Sequence, residues 1–201
     1  MKKLLFTLCV LTIALTGSAQ DSLKHLCFNE VPIDGILADC FENVRKSGFR
    51  PLYAKQKVAV FSGEFEGYKE CLISLHAIED QGLVNRIIVS LPFRQSWPEL
   101  LDDYTKLKAA LSQKYGEPEF SREQFRDDLQ PTTDEERFEL TKNKKNNYAT
   151  NFKLPEGDVS VAIIATDKGC CVAVGHADRI NTEKAKLLEK ANHSKLPIHL
   201  P

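Results

Sequence analysis

The chain has 201 residues, of which 27 are Lys or Arg and 28 are Asp or Glu, so its net charge at neutral pH is close to −1. A length of this order supports one domain, or two small ones, around a hydrophobic core. Nucleic-acid-binding proteins usually carry a clear excess of basic residues on one face. The overall charge balance therefore argues against nucleic acid as a partner.

The N-terminal stretch MKKLLFTLCVLTIALTGSAQ has the composition of a secretory signal peptide. Two lysines precede an apolar run from Leu4 to Leu15, and small residues stand at Gly17 and Ala19. The run is shorter than the roughly 20 residues that a membrane-spanning helix needs. We expect residues 1–19 to be cleaved after Ala19, leaving an exported chain, periplasmic or extracellular, with no transmembrane segment. Cys9 lies inside the apolar run, so a lipoprotein is not expected.

Five cysteines remain after residue 19. They are Cys27, Cys40, Cys71, Cys170 and Cys171. An exported chain can form disulfides, and an odd number leaves at least one thiol unpaired within the chain. Cys27 and Cys40 are the best candidate pair, because one precedes the first predicted helix and the other lies on it. The alternative is that all five are small buried side chains.

The first half of the chain predicts one helix followed by three strands. The segment PIDGILADCFENVRKSGF has an apolar stripe at helical spacing, with Asp34 as the expected N-cap. The segments KVAVFSGEF, ECLISLHAIED and LVNRIIVSLP are rich in strand-forming residues and are joined by short connections. Short connections favour an antiparallel meander.

The second half predicts the same order. SWPELLDDYTKLKAALSQKYG is a helix with a capping box formed by Ser96 and Glu99 and an end at Gly116. Residues 121–147 form a highly charged insertion that is expected to be partly helical. Three strands follow, YATNFKL, DVSVAIIAT and CCVAVGHAD, and a last helix is predicted at roughly Thr182 to Ala191.

Together these elements predict an α+β fold of two tandem units. Each unit consists of a helix and a three-stranded antiparallel meander, and the strands join one sheet with the helices on one face. The first unit covers residues 20–92 and the second covers 93–180, including the polar insertion 121–147. Residues 181–201 form the C-terminal helix and tail.

Three segments, FNEVPIDG, FEGYKEC and LSQKYGEP, resemble segments of uncharacterised exported bacterial proteins of about this size. The tandem order of helix and meander is similar to that of the beta-lactamase-inhibitor-protein-like group of exported domains, which includes small envelope-assembly lipoproteins. This chain departs from those lipoproteins because it lacks their lipid-bearing cysteine. The resemblance implies a binding or assembly role.

Two similar strands, CLISLH and CVAVGH, each place a cysteine five residues before a histidine. Side chains alternate faces along a strand, so Cys71 and His76 point to opposite sides of the sheet, as do Cys171 and His176. Neither strand therefore holds a thiol–imidazole dyad, which needs a separation of about 3 Å. The sequence also contains none of the common cofactor-binding or metal-binding motifs.

The leading hypothesis is therefore a noncatalytic exported protein that binds an unknown protein or small ligand in the cell envelope. We expect the helix-free face of the sheet to be the binding face. Its predicted members are Ser62, Ser74, His76, Arg86, Ser160 and His176. One alternative is an envelope hydrolase, in which at least two of the side chains of Cys71, His76, Cys171 and His176 meet between the units. Another alternative is a self-associating structural protein.

Overall fold

The computed structural model describes residues 24–78, 82–126 and 128–193, so the predicted signal peptide lies outside the described residues. The elements in chain order are β1 (Cys27–Phe28), β2 (Val31–Pro32), α1 (Leu37–Lys46), β3 (Arg50–Lys55), β4 (Val58–Phe65), β5 (Tyr68–Ala77), β6 (Val84–Ser90), α2 (Trp97–Tyr115), β7 (Phe120–Phe125), α3 (Asp134–Lys142), β8 (Asn146–Lys153), β9 (Gly157–Thr166), β10 (Gly169–Asp178) and α4 (Arg179–His193). In these ranges, no helix is both long and apolar enough to cross a bilayer.

Eight of the strands form one antiparallel sheet in the order β3-β4-β5-β6-β10-β9-β8-β7. The prediction of an α+β fold with a large antiparallel sheet is confirmed. The strands β6 and β10 pair at the centre of the sheet, so the last strand before α2 lies beside the last strand that the structure describes. The predicted boundary at residue 92 falls between β6 and α2, and the sheet continues across it.

The expectation of three strands in each half is wrong, because β3 and β7 also belong to the sheet. All six residues of β3 are exposed, and in β7 Phe125 alone is buried. Both are edge strands, and each has one neighbour. An edge strand with little buried surface has no alternating hydrophobic pattern, so it cannot be predicted from such a pattern in its sequence.

Three helices pack on one face of the sheet, which we call the helix face. The Phe41 ring of α1 lies 4.8 Å from that of Phe61 in β4, and the Tyr104 hydroxyl of α2 lies 2.7 Å from Thr150 Oγ1 in β8. Phe61 and Thr150 belong to one cross-strand row, so α1 and α2 share a face. The row is Phe61, Ile73, Val89, Val174, Val161 and Thr150. The helix α3 contacts α2, β8, β9 and β10, and Phe138 and Leu140 pack against the core.

The hydrophobic core lies between these helices and the sheet. The helix α2 contributes its apolar stripe, in which Leu100, Tyr104, Leu107 and Leu111 are each at most 2% exposed. The sheet contributes alternate residues of its central strands. They include Ala59, Phe61, Ile73, Leu75, Ile87, Val89, Val159, Val161, Val172 and Val174. Alternation in the strands and helical spacing in α2 therefore fix the two layers of the core.

The segment before β1 is attached to the end of β10 through the buried carboxylate of Asp178. This carboxylate accepts hydrogen bonds from the backbone N–H groups of Leu26 and Asn181, each 2.8 Å long, and lies 3.1 Å from His25 Nδ1. The Asn181 side chain at the start of α4 donates to the carbonyls of Ile33 and Val84. These contacts join the first residues described to the last helix.

Three local predictions need correction. At α2, the Ser96 side chain donates to Glu99 Oε2 at 2.8 Å and accepts no backbone hydrogen bond, so the predicted capping box is not formed. The N-cap of α1 is Ile36, whose backbone bridges to Leu83, whereas the Asp34 carboxylate lies 3.3 Å from His25 Nε2. The polar insertion is partly helical, as expected, because α3 has a complete capping box at Thr133 and Glu136. Its first and last residues, however, belong to β7 and β8.

Candidate functional site

The sheet face that lies away from α1, α2 and α3 is called here the opposite face. Strand register places its residues in three cross-strand rows. The central row is Tyr53, Val60, Ser74, Ile88, Gly175, Ser160, Asn151 and Phe120. The row on one side of it consists of Arg50, Ser62, Leu72, Ser90, Ala173, Ala162, Ala149 and Arg122. The row on the other side consists of Lys55, Val58, His76, Arg86, Ala177, Asp158 and Lys153.

Five of the six predicted binding residues lie in these rows. The Ser62 hydroxyl accepts a hydrogen bond from Arg50 Nε at 3.2 Å, and the Ser74 hydroxyl donates to the Ile88 carbonyl at 3.2 Å. Ser160 in β9 faces Gly175 in β10, where an added Cβ at residue 175 would lie 3.0 Å from Ser160 Oγ. The centre of the opposite face is therefore a closely fitted floor of small side chains.

His76 and Arg86 are cross-strand partners at one side of this floor. The imidazole Nε2 of His76 lies 3.0 Å from Ser74 Oγ. Burial, and to a smaller extent the charge of Arg86, lower the pKa of His76. His76 is thus a neutral hydrogen-bonding group at pH 7, and Arg86 is the exposed charge beside it.

The central row ends in an exposed aromatic side chain at each edge of the sheet. Tyr53 in β3 is 54% exposed and Phe120 in β7 is 46% exposed. The Arg122 guanidinium lies over the Phe120 ring at 5.3 Å from its centre. Sequence reasoning missed both aromatic residues because it missed both edge strands. Neither edge strand has an alternating hydrophobic pattern that could have indicated these two residues.

The three rows carry more positive than negative charge. Their basic members are Arg50, Lys55, Arg86, Arg122 and Lys153, all exposed, and their acidic member is Asp158. Lys153 lies 3.0 Å from Glu119 and is partly neutralised by it. The near-zero net charge of the whole chain therefore hides a local excess of basic side chains.

His176, the sixth predicted binding residue, lies on the helix face instead. It pairs with Val159 and Ile87, whose side chains are in the core, and it is 3% exposed. Its imidazole meets Phe28 and Phe65 edge to face, at 5.3 and 6.3 Å between ring centroids. Cys170, Val172 and Val174 precede it at intervals of two residues, so the same alternation that buries them buries His176.

A cavity of about 110 Å³ lies next to His176 on the helix face. Its lining contains four aromatic rings and three charged side chains, together with residues of β1 and α2. The lining residues are Cys27, Phe28, Asn29, Phe49, Glu64, Phe65, Glu66, Leu111, Lys114, Tyr115 and His176. Burial, with a smaller effect from Lys114, lowers the pKa of His176 to about 4. Its Nδ1 is buried and has no hydrogen-bond partner among the described residues.

The side chains of the hydrolase hypothesis are divided between the two faces. Cys71 and His176 lie on the helix face, whereas His76 and Cys171 lie on the opposite face. The Cys71 thiol donates a hydrogen bond to the Tyr68 carbonyl. Burial raises the pKa of the Cys71 thiol and that of the Cys171 thiol to about 11. Within the described part of the chain, no two of these four side chains share a hydrogen bond.

The two cysteines of the predicted disulfide are free thiols in the structure. Cys27 is exposed in β1, whereas Cys40 is buried in α1. The Cys40 thiol donates to the Asp34 carbonyl at 2.7 Å, and burial raises its pKa to about 11. The structure thus shows separate environments for the two thiols.

Over the residues that the structure describes, no group of three or more His, Cys, Asp or Glu side chains is placed to hold a metal ion. Comparison of the chain with models of protein families, with curated proteins and with solved structures found no match. The two features that remain for a functional interpretation are the opposite face and the cavity beside His176.

Proposed function

We propose that this chain is an exported binding protein that holds an acidic protein partner against the opposite face of its sheet. The observation that carries the proposal is the central row, in which small and aliphatic side chains lie between exposed aromatic rings at both edges. Export is proposed from the signal-like composition of residues 1–19.

The shape of the face suits a protein partner. The central row crosses eight strands, or about 34 Å at 4.8 Å between neighbours. The three rows together cover on the order of 700 Å², which is close to the roughly 800 Å² that one partner buries in a standard interface. Exposed aromatic side chains such as Tyr53 and Phe120 are typical energetic anchors of such interfaces.

The chemistry of the face favours an acidic partner. Its floor offers apolar contact through residues such as Leu72 and Ile88, together with serine hydroxyl groups. Its periphery carries Arg50, Arg86 and Arg122. An apolar centre within a basic periphery matches a protein surface with small or apolar side chains surrounded by carboxylates.

We also propose that the two halves are related repeats of the beta-lactamase-inhibitor-protein-like type. Two observations support this. Each half has a helix followed by four strands, with α3 inserted after β7 in the second half. The strand order of one half is the reverse of the other on either side of the β6–β10 pair. Such an arrangement gives one continuous face to which both halves contribute equally.

Site-specific photo-crosslinking in the source cells tests the proposal. A photo-crosslinking amino acid in place of Leu72 samples the floor of the opposite face. The same amino acid in place of Leu101, an exposed leucine of α2, is the matched control. We expect a protein adduct from position 72 that position 101 does not give. Its yield should fall as salt is added, because salt screens exposed charges.

A pair of arginine substitutions distinguishes a specific interface from nonspecific adsorption. Ser160→Arg places a long charged side chain in the central row and should abolish the adduct. Thr105→Arg, on the exposed side of α2, should leave the adduct unchanged. Equal adducts from positions 72 and 101 would contradict the proposal. So would an adduct that a nuclease removes, or one that consists of two copies of this chain.

A further inference from the structure

We infer that the edge strand β7 is a docking surface for a second copy of this chain, and that the two copies pair through β7 about a two-fold axis. The inference does not depend on the proposed acidic partner, because it uses an edge of the sheet and not its face. It follows from three features of β7, namely its outward backbone groups, its lack of the features that protect edge strands, and side chains that suit self-pairing.

The first feature is the set of backbone groups along the open side of β7. The strand is the last in the sheet order and pairs with β8 alone. One position beyond it, the Arg126 N–H donates to the Lys145 carbonyl at 2.7 Å. Hydrogen-bonded and non-hydrogen-bonded pairs alternate along an antiparallel ladder. Every second residue of β7 therefore directs its N–H and C=O groups away from β8, namely Ser121, Glu123 and Phe125.

The second feature is the difference between the two edges of the sheet. Open edge strands tend to pair with other chains, and proteins usually protect them with proline, bulges or charge. The edge strand β3 is protected, because it contains Pro51 and a register shift between Pro51 and Tyr53. The strand β7 contains no proline, and its six pairs with β8 run without a register shift. Pairing of β7 with β3 of another copy would build an open fibre, whereas pairing of β7 with β7 closes as a two-fold dimer.

The third feature is the register that the side chains of β7 favour. Outward residues must lie opposite outward residues, so the register changes in steps of two. One register pairs all three, with Ser121 opposite Phe125 of the second copy and Glu123 opposite its own counterpart. It also sets the Arg122 guanidinium opposite the Gln124 amide of the second copy. One step in either direction would oppose Arg122 to a second arginine, Arg122 or Arg126, and like charges directly opposite destabilise a sheet.

The pair of Glu123 carboxylates at the axis is balanced by lysine. Lys108 Nζ in α2 lies 2.5 Å from Glu123 Oε1 in each copy, so the four groups together carry no net charge. The same ammonium group donates to Ser121 Oγ at 3.0 Å, and Ser121 Oγ lies 2.9 Å from Thr150 Oγ1. These bonds fix the side chains of β7 before a second copy arrives, which lowers the cost of ordering them on association.

The dimer would join the opposite faces of the two copies. A two-fold axis perpendicular to the sheet keeps both opposite faces on the same side of one continuous sheet, with Phe120 near its centre. Leu72 in β5 lies five strands from β7 in the sheet order, or about 24 Å at 4.8 Å between neighbours. Pairing through β7 therefore does not predict a self-adduct from position 72, and the two proposals fail separately.

Sedimentation equilibrium of the purified protein over a range of concentrations is the direct test. We expect a monomer–dimer equilibrium without larger species. Ser121→Pro removes an outward N–H group that the axis repeats twice, so it should weaken dimerisation by at least about tenfold. Ser121→Ala is the matched control, because it loses the same hydroxyl group but keeps the N–H, and it should dimerise like the unchanged protein. Thermal unfolding followed by circular dichroism reports whether both variants fold.

Cysteine cross-linking tests the register and does not depend on the proline variant. The background is Cys27→Ser, which removes an exposed thiol. Glu123→Cys places two thiols at the axis, where the Cα atoms of a hydrogen-bonded pair are about 5.5 Å apart, within the range of a disulfide. Ser121→Cys is the control, since the two copies of position 121 are offset by four residues, or about 13 Å. Oxidation should give a covalent dimer with Glu123→Cys alone.

Several results would overturn the inference. A protein that stays monomeric up to its highest soluble concentration would show that β7 does not bind a second copy. Species that grow beyond a dimer would show that the assembly is not a closed pair. Equal dimerisation of Ser121→Pro and Ser121→Ala would place the interface away from the β7 backbone. Cross-linking of Ser121→Cys as readily as Glu123→Cys would overturn the register.

Discussion

The imidazole of His176 meets the phenyl ring of Phe28 edge to face, with 5.3 Å between their centroids. This contact joins the short β1–β2 hairpin to the central strand β10, although the two elements are far apart in the sequence. It also places a titratable ring among aromatic side chains of the core. The N-terminal hairpin is therefore held by a group whose charge depends on pH.

The stability of the protein should fall as the pH is lowered from about 6.5 to 4, in part because of His176. Burial lowers the folded-state pKa of His176 to about 4 from an ordinary value of 6.5, so the unfolded chain binds more protons in this interval. The cavity beside the ring is lined by the charged residues Lys114, Glu64 and Glu66, of which Lys114 lowers the pKa of His176 further. The difference in pKa corresponds to roughly 3 kcal/mol at most.

Urea unfolding of the protein and of His176→Phe at pH 7 and at pH 4.5 checks this expectation. The free energy of unfolding should drop less between these pH values in the variant than in the unchanged protein. The same drop in both proteins would show that His176 is not the group that titrates. Measurements above pH 7 should show no contribution from this side chain.

Asp103→Asn should destabilise the protein by roughly 2 kcal/mol, because it breaks a charge-assisted hydrogen bond to a buried carboxylate. Asp103 is 4% exposed, and its Oδ2 lies 2.6 Å from Arg94 Nε. The matched control is Asp102→Asn, which breaks an exposed pair with Lys106 and should cost less than about 0.5 kcal/mol. Chemical denaturation measures both values, and equal losses would contradict the assignment of Arg94–Asp103 as the stronger pair.

Asn181→Ala should loosen the attachment of α4 to the rest of the fold. The Asn181 amide donates to the carbonyls of Val84 and Ile33 at 2.8 and 3.2 Å, and both bonds are buried. Leaving two buried acceptors without donors should cost about 2 kcal/mol or more. The exposed Asn143, whose amide caps α3, supplies the control Asn143→Ala, for which a smaller loss is expected. Faster amide hydrogen exchange in β2 and β6 should accompany the loss at Asn181 alone.

Cys27 should be the fast-reacting thiol among the five cysteines of the described residues. Cys27 is exposed, whereas the other four cysteines are buried, and burial raises the pKa of each of their thiols. These four are Cys40, Cys71, Cys170 and Cys171. A maleimide reagent followed by peptide mapping should therefore modify Cys27 long before the others. Absence of labelling at Cys27, restored by a reductant, would instead indicate the disulfide with Cys40 that the sequence suggests.

The helix α2 and the strands β4, β5, β6, β8, β9 and β10 were predictable from sequence, because each has a local signal. Buried residues recur along α2 at helical spacing, and Ser96 and Gly116 mark its ends. In the strands, apolar residues alternate, and turns of two or three residues separate β4 from β5, β8 from β9 and β9 from β10. The helix α3 was anticipated within the polar insertion. The edge strands β3 and β7 had no such signal, since hydrogen bonds to one neighbour and little buried surface hold them.

For the candidate site, too, only the features that depend on alternation along a single strand could be predicted from the sequence. Alternation along single strands placed Ser62, Ser74, His76, Arg86 and Ser160 on one face. Alternation also placed His176 on the same side of β10 as Cys170. Sequence reasoning assigned His176 to the opposite face, whereas it lies on the helix face. The cause is that both sides of β10 carry small or apolar residues and do not show which one is the core side. Nothing along the chain shows that Tyr53 and Phe120 lie at the two ends of one cross-strand row, since they are 67 positions apart in the sequence.

The sequence by itself determined the order of the main elements, the antiparallel connections and the signal-like composition of the N-terminal residues, because these depend on neighbours along the chain. The tertiary structure alone decided that β6 pairs with β10, that basic residues gather on the opposite face, and that a cavity forms beside His176. The physical reason is that pairing and cavities depend on surfaces that meet only when distant segments pack, and local periodicity carries no information about which surfaces these are.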